Sequence, residues 1–154
     1  MSQSAWTRRF IAMVGGLTEI GFDAEERYLL IISHSGRGLL DASTGARLAR
    51  EPETPTLAVP WLRRTDRLAL GIGPADGIWF PVVGLWGGSL PAASGPWRLA
   101  VEREGRYDVV VMSSAERAKT VLVRPATEVR VCGFTRSGRA VVATTSEVEV
   151  FETV

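Results

Sequence analysis

The stretch "RYLLIISHSGRGLLDASTGARLAR" (27–50) decides the fold class. It opens with five consecutive apolar residues, "YLLII" (28–32), too short for a buried helix and bounded by a Ser-Gly corner. A short apolar run between turn residues reads as a strand covered on both faces. A second strand follows at 39–42 and a third at 46–50, separated by Thr44-Gly45. Glycine supplies the positive φ that tight connections between antiparallel strands require.

The same pattern continues through the chain. Strands are expected at 17–22, 28–34, 39–42, 46–50, 68–72, 78–85, 98–104, 107–112, 120–124, 128–134, 140–145 and 147–151. "VVVM" (109–112) belongs centrally, like "YLLII", because it is apolar on both faces. "EVEV" (147–150) alternates and so predicts a half-buried strand near an edge, with Glu147 and Glu149 on the solvated face. No window carries a helical stripe. One helical turn is expected after Pro60 and another at 114–119, so the chain holds at most two. The fold class is therefore all-β: an antiparallel meander, propeller-like or a β-sandwich or barrel. The proline-bearing segment "REPETPTLAVP" (50–60) reads as an extended connection inside a single domain, 1–154.

Composition narrows the function classes. Of 154 residues, 45% are hydrophobic and 23% charged, an ordinary globular balance. The formal net charge of +1 argues against a protein that coats nucleic acid and against an acidic mimic of it. The basic residues are 17 Arg and one Lys, Lys119, a bias that fits a GC-rich bacterial genome. A single cysteine, Cys132, excludes an internal disulfide and suits a reducing compartment. The apolar stretch Phe10 to Val14 is shorter than a signal-peptide core, and no run is long enough to span a membrane. A cytoplasmic location is expected, with no membrane and no nucleic-acid partner.

Two segments repeat one another: "LTEIGFDAEERYLLIISHSGRGLLDASTGARL" (17–48) and "TEVRVCGFTRSGRAVVATTSEVEVFE" (127–152). Each runs through a strand ending in Gly-Phe (Gly21-Phe22, Gly133-Phe134), a polar turn, an apolar strand, a short break and another strand. The pattern resembles a blade of a tryptophan–aspartate-repeat β-propeller, with "DASTG" (41–45) as the closing strand and turn. It lacks the Trp-Asp pair and the Gly-His signature of that family, and the middle of the chain does not match. The stretch 33–50 also looks like small uncharacterised bacterial proteins encoded beside toxins. That resemblance implies an interaction partner rather than a substrate.

Candidate chemistry is sparse. His34, the only histidine, lies between Ser33 and Ser35 with Asp41 nearby in sequence. Catalysis would make it a general base oriented by Asp41, with a serine as nucleophile. "HSGRG" is a hairpin corner, though, and not the strand-to-helix elbow that presents a nucleophilic serine. No catalytic residue, metal ligand or cofactor is assigned. "GIGPADG" (71–77) lacks the lysine of a phosphate loop. Of five tryptophans, Trp79 reads as core. Trp86, in the glycine-rich "LWGGSLP", and Trp61, just before Arg63 and Arg64, read as loop-borne anchors. With Arg37 between two glycines, these five residues (Trp86, Arg37, Trp61, Arg63 and Arg64) form the expected partner-binding set. The expectation is a non-catalytic bacterial binding protein, in its sharpest form an immunity protein that covers the active site of a toxin. The alternative is a small hydrolase or ligand-binding β-barrel using His34 and Asp41.

Overall fold

A computed structural model describes residues 5–56 and 59–153. The chain enters through β1 (Trp6–Met13), a strand missing from the expected set. It then builds four antiparallel sheets in sequence. The first holds β2 (Leu17–Phe22), β3 (Tyr28–Ser33), β4 (Gly36–Asp41) and β5 (Arg47–Glu51). The second holds β6 (Leu62–Arg63), β7 (Leu68–Leu70) and β8 (Trp79–Pro81). A short β9 (Val83–Gly84) returns to pair with β2. The third sheet is β10 (Ala93–Ser94), β11 (Trp97–Glu104), β12 (Tyr107–Ser114) and β13 (Thr120–Val123). The fourth is β14 (Val129–Phe134), β15 (Ala140–Thr144) and β16 (Glu147–Thr153), completed by β1 along β16. The protein is thus all-β, and none of the sheets closes into a barrel.

The apolar run "YLLII" shows how the sheets stack. Successive strand residues point to opposite faces. Leu29 and Ile31 join Leu40 against Phe10, Val141, Val148 and Val150 of the fourth sheet. Leu30 and Ile32 join Leu39 against Trp61, Ala69, Phe80 and Val82 of the second sheet and its flanks. Strand β15 is used the same way. Val141 and Ala143 face the first sheet, while Ala140 and Val142 pack with Leu99, Val110 and Met112 of the third. The sheets therefore stack in the order second, first, fourth, third. The central two need strands covered on both faces, which is why β3 and β15 do not alternate. Each fully buried aliphatic side chain in these layers contributes roughly 1.5–3 kcal/mol of transfer free energy.

Several expectations need correction. The expected strand 78–85 is two strands, because the chain leaves the second sheet at Pro81 and joins the first at Val83. No helical turn follows Pro60. Leu62 and Ala69 are buried opposite one another in the β6–β7 ladder instead. None forms at 114–119 either. Among the described residues the one helical element is a 3-10 turn, Gly73–Ala75, with Pro74 in its first turn. Glu149 is not on a solvated face: β1 pairs along the outer side of β16, and Glu149 is only 3% exposed.

The internal repeat has a structural counterpart. Gly21-Phe22 closes β2 and Gly133-Phe134 closes β14. Both glycines lie where another segment's backbone passes. A Cβ on Gly21 would run into the Pro81 carbonyl oxygen, and one on Gly133 into Leu90 and the Pro91 carbonyl. That Pro91 carbonyl accepts a hydrogen bond from the Phe134 N–H at 2.8 Å. The turns after the two strands are tied together: the Glu26 carboxylate accepts from the Ser137 N–H at 2.8 Å and the Ser137 hydroxyl at 2.7 Å.

Candidate functional site

Each of the five residues singled out in the sequence takes part in an arginine-on-indole stack, and the stacks differ in depth. Arg37 lies on β4 on the face turned toward the second sheet, beside Leu39. Its guanidinium carbon sits 4.3 Å from the Trp61 ring centroid, and its Nη1 donates to the Leu70 carbonyl at 2.7 Å. Arg37 is 7% exposed and Trp61 3%. Burial pushes the Arg37 pKa down, while Glu51, Glu53 and Asp76 oppose that shift. The glycines around Arg37 do not swing it outward. It clamps the first sheet to the second, and Trp61 is part of the core between them.

The other two stacks lie at the surface. Arg63 covers Trp79 at 4.2 Å and Arg64 covers Trp86 at 4.6 Å, both with exposed arginines and half-buried indoles. Trp79, expected to be plain core, is thus one of the arginine-capped rings. Arg67, also exposed, extends the cationic strip past Gly87 and Gly88. Its φ of +52° lets the turn close, with the Arg67 N–H donating to the Arg64 carbonyl at 3.2 Å. Leu85, 51% exposed, flanks Trp86. A cation over an indole contributes about 0.5–1 kcal/mol when exposed and more once a partner excludes water.

Behind this strip lies a residue that the sequence reading passed over. Glu19, on β2, is fully buried, and its Oε1 accepts the Trp86 N–H at 2.8 Å. Burial raises its pKa to about 7; hydrogen bonds from the Trp86 and Leu85 N–H groups and the charges of Arg130 and Arg64 hold it from going higher. Among the described residues its other oxygen, Oε2, and the Nε of Arg130 are buried without a hydrogen-bond partner. Glu19 thus anchors the loop that presents Trp86. The signal in the sequence was a lone carboxylate inside the otherwise uncharged "LTEIGF".

The residues of the alternative reading do not converge. His34 is exposed in the turn between β3 and β4, its ring close to Gly16. Asp41 sits at the far end of β4, paired with Tyr28, and its Oδ1 accepts the Ser43 and Thr44 N–H groups at 2.7 and 3.0 Å. Five strand residues at about 3.3 Å each separate the two, so Asp41 cannot orient the imidazole. Burial pushes the Cys132 thiol up to about 11, which keeps it protonated and unreactive at neutral pH. Among the described residues no group of three His, Cys, Asp or Glu side chains is placed to hold a metal ion, and no helix is long and apolar enough to cross a membrane. Comparison with known proteins finds no match to this chain among protein-family models, curated proteins or solved structures.

Proposed function

We propose that this chain is a non-catalytic binding protein that engages a protein partner through the strip Arg63, Arg64, Arg67, Trp79, Leu85 and Trp86. The observation that carries the reading is the pair of exposed arginines whose guanidinium carbons sit over half-buried indoles, 4.2 and 4.6 Å from the ring centroids. Arginine and tryptophan are the side chains in which interface energy concentrates, and stacking fixes the guanidinium before binding. Overall charge is close to neutral, so this cationic strip is local and selects a partner surface bearing carboxylates. Arg37 and Trp61 support it from below. In its sharpest form the protein is a bacterial cytoplasmic immunity protein that covers a toxin's active site, a role needing shape and anchors but no chemistry of its own. The succession of four sheets, with the first strand completing the last, favours a propeller-like reading of the fold.

The test is co-expression with the product of the adjacent gene, followed by calorimetric titration of the purified pair. A complex is expected. Replacing Arg63 and Arg64 together by alanine should weaken it by about 2 kcal/mol or more, with little change in the thermal midpoint of the free protein. An unchanged affinity in the double variant would remove the strip from the interface. A neighbour that neither binds nor slows growth would remove the toxin.

A further inference from the structure

The hairpin "SHSGRG" (33–38) has no part in the strip on the second sheet, yet it borders a cleft of about 220 Å³ on the opposite face of the first sheet. The cleft opens between the end of β1 and strands β3 to β5. Its floor is apolar, made by Ile31 and Leu40, and Val14 forms a wall. The space exists because residue 38 is glycine: a Cβ built there meets nothing within 4 Å. Ser33, 4% exposed, puts a hydroxyl at one end.

Two arginines line the same cleft. A register irregularity between β4 and β5 sets Arg50 opposite Gly38 and Arg47 opposite Leu40, so residues three apart stand over one pocket. Regular alternation would have sent them to opposite faces. Among the described residues neither makes an ion pair with a carboxylate; Arg50 reaches only the Ser35 hydroxyl, at 3.4 Å. Arg8, Arg9, Arg27, Arg103, Arg124 and Arg139 by contrast all have acidic partners. The cleft therefore combines two unneutralised forked donors with an apolar floor.

We propose that this cleft binds a small carboxylate carrying a short apolar tail, the carboxylate on Arg47 and Arg50 and the tail over Ile31, Leu40 and Val14. Forked guanidinium groups match the two oxygens of a carboxylate, and the apolar floor adds affinity that a bare inorganic anion cannot use. The volume lies below the ~300–1,000 Å³ of drug-sized pockets, which sets the ligand at a few carbons and excludes a nucleotide. Such a group could come from a free short-chain acid or from the C-terminus of a peptide, and the chemistry of recognition is common to both. The site is separate from the arginine–tryptophan strip and stands whether or not that strip docks a partner.

The experiment is titration of the full chain, followed by amide chemical shifts, with hexanoate, 1-hexanol, inorganic phosphate, and a short Leu-ending peptide with free or amidated C-terminus. Hexanoate or the free-acid peptide should bind at least tenfold more tightly than hexanol, phosphate or the amide, with shifts centred on 31–40 and 47–50. Preference for hexanoate identifies a free acid, and preference for the peptide identifies a chain terminus. The variant carrying Arg47→Gln and Arg50→Gln should lose at least tenfold in affinity. Gly38→Ala, which narrows the cleft at an ordinary backbone angle, should weaken binding without loss of fold. Equal binding of hexanol, phosphate binding as tight as hexanoate, or undiminished affinity in the double arginine variant would each overturn the proposal.

Discussion

Glu19 carries an acid group into the middle of β2 with no salt-bridge partner among the described residues, and its raised pKa, about 7 against an ordinary 4.5, is a statement about stability. Between those values the folded state binds more protons than the unfolded chain. Its contribution is therefore fully present below about pH 4.5, falls as pH rises, and is lost above about 7. Glu149 is shifted in the same direction by burial, while Glu26 goes the other way because hydrogen bonds from Thr135 and Ser137 outweigh its burial. A difference measurement isolates Glu19. Glu19→Gln keeps an acceptor for the Trp86 N–H and removes the ionisable group. The wild type should lose stability relative to this variant between pH 5 and 8, read by urea unfolding at each pH. A constant difference across that range would mean Glu19 does not titrate there. Little of this was legible in the sequence. "LTEIGF" announces a strand, but whether Glu19 faces water depends on β9 crossing beside it at Gly84. That pairing links residues more than sixty positions apart. Arg37 misled for a related reason: flanking glycines suggest an exposed corner, whereas Gly36 is required by close approach to the backbone of Glu51 and Glu53.

Strands were easier to read than their neighbours. Apolar runs covered on both faces placed β3 and β12 inside their sheets, where the structure has them. Strand β1 was missed because "WTRRFIAM" carries two adjacent arginines and only loose alternation; the register slips between Arg8 and Phe10 to keep Trp6 and Phe10 both buried. Missing β1 made Glu149 look solvated. In the structure Arg8 Nη1 meets Glu149 Oε2 at 3.3 Å, with the Glu149 side chain only 4% exposed and Arg8 reaching solvent. Glu149→Lys should therefore be destabilising, since it buries an ammonium directly against Arg8 and removes the carboxylate that Arg8 pairs with. The expected loss is about 2 kcal/mol or more, tempered because Arg8 is half in water, and is measured as the shift in urea midpoint. Glu147→Lys, at a position that is only partly buried, should change the midpoint far less. Equal effects at the two positions would mean that β1 does not cover β16 in solution.

At the scale of the molecule, the longest-range pairing closes the arrangement: the first strand completes the last sheet, with Trp6 opposite Thr153 and Met13 opposite Glu147. The sequence repeat pointed toward corresponding strands at 17–48 and 127–152, and those strands do form the two central, mutually packed sheets. What it could not convey was closure, because β1 and β16 are separated by nearly the whole chain and neither names its partner in local pattern. Closure makes a specific forecast. The start of β1 and the end of β16 are antiparallel neighbours, so a turn of a few residues from Thr153 to Trp6 would make them a hairpin. New ends can then be opened between Thr54 and Pro55, in the extended segment that pairs with no strand. This permuted chain should fold with the same far-ultraviolet circular dichroism and a single unfolding transition. Its unfolding midpoint should stay close to that of the natural order, because the link removes one loop-closure cost and the new ends reintroduce a comparable one. Deleting 5–13 instead should expose Phe151 and strip Phe10 and Trp6 from two of the three apolar layers, with loss of cooperative unfolding. If the permuted chain fails to fold while the β1 deletion unfolds as cooperatively as the intact protein, the pairing of first and last strands is not what holds the four sheets together.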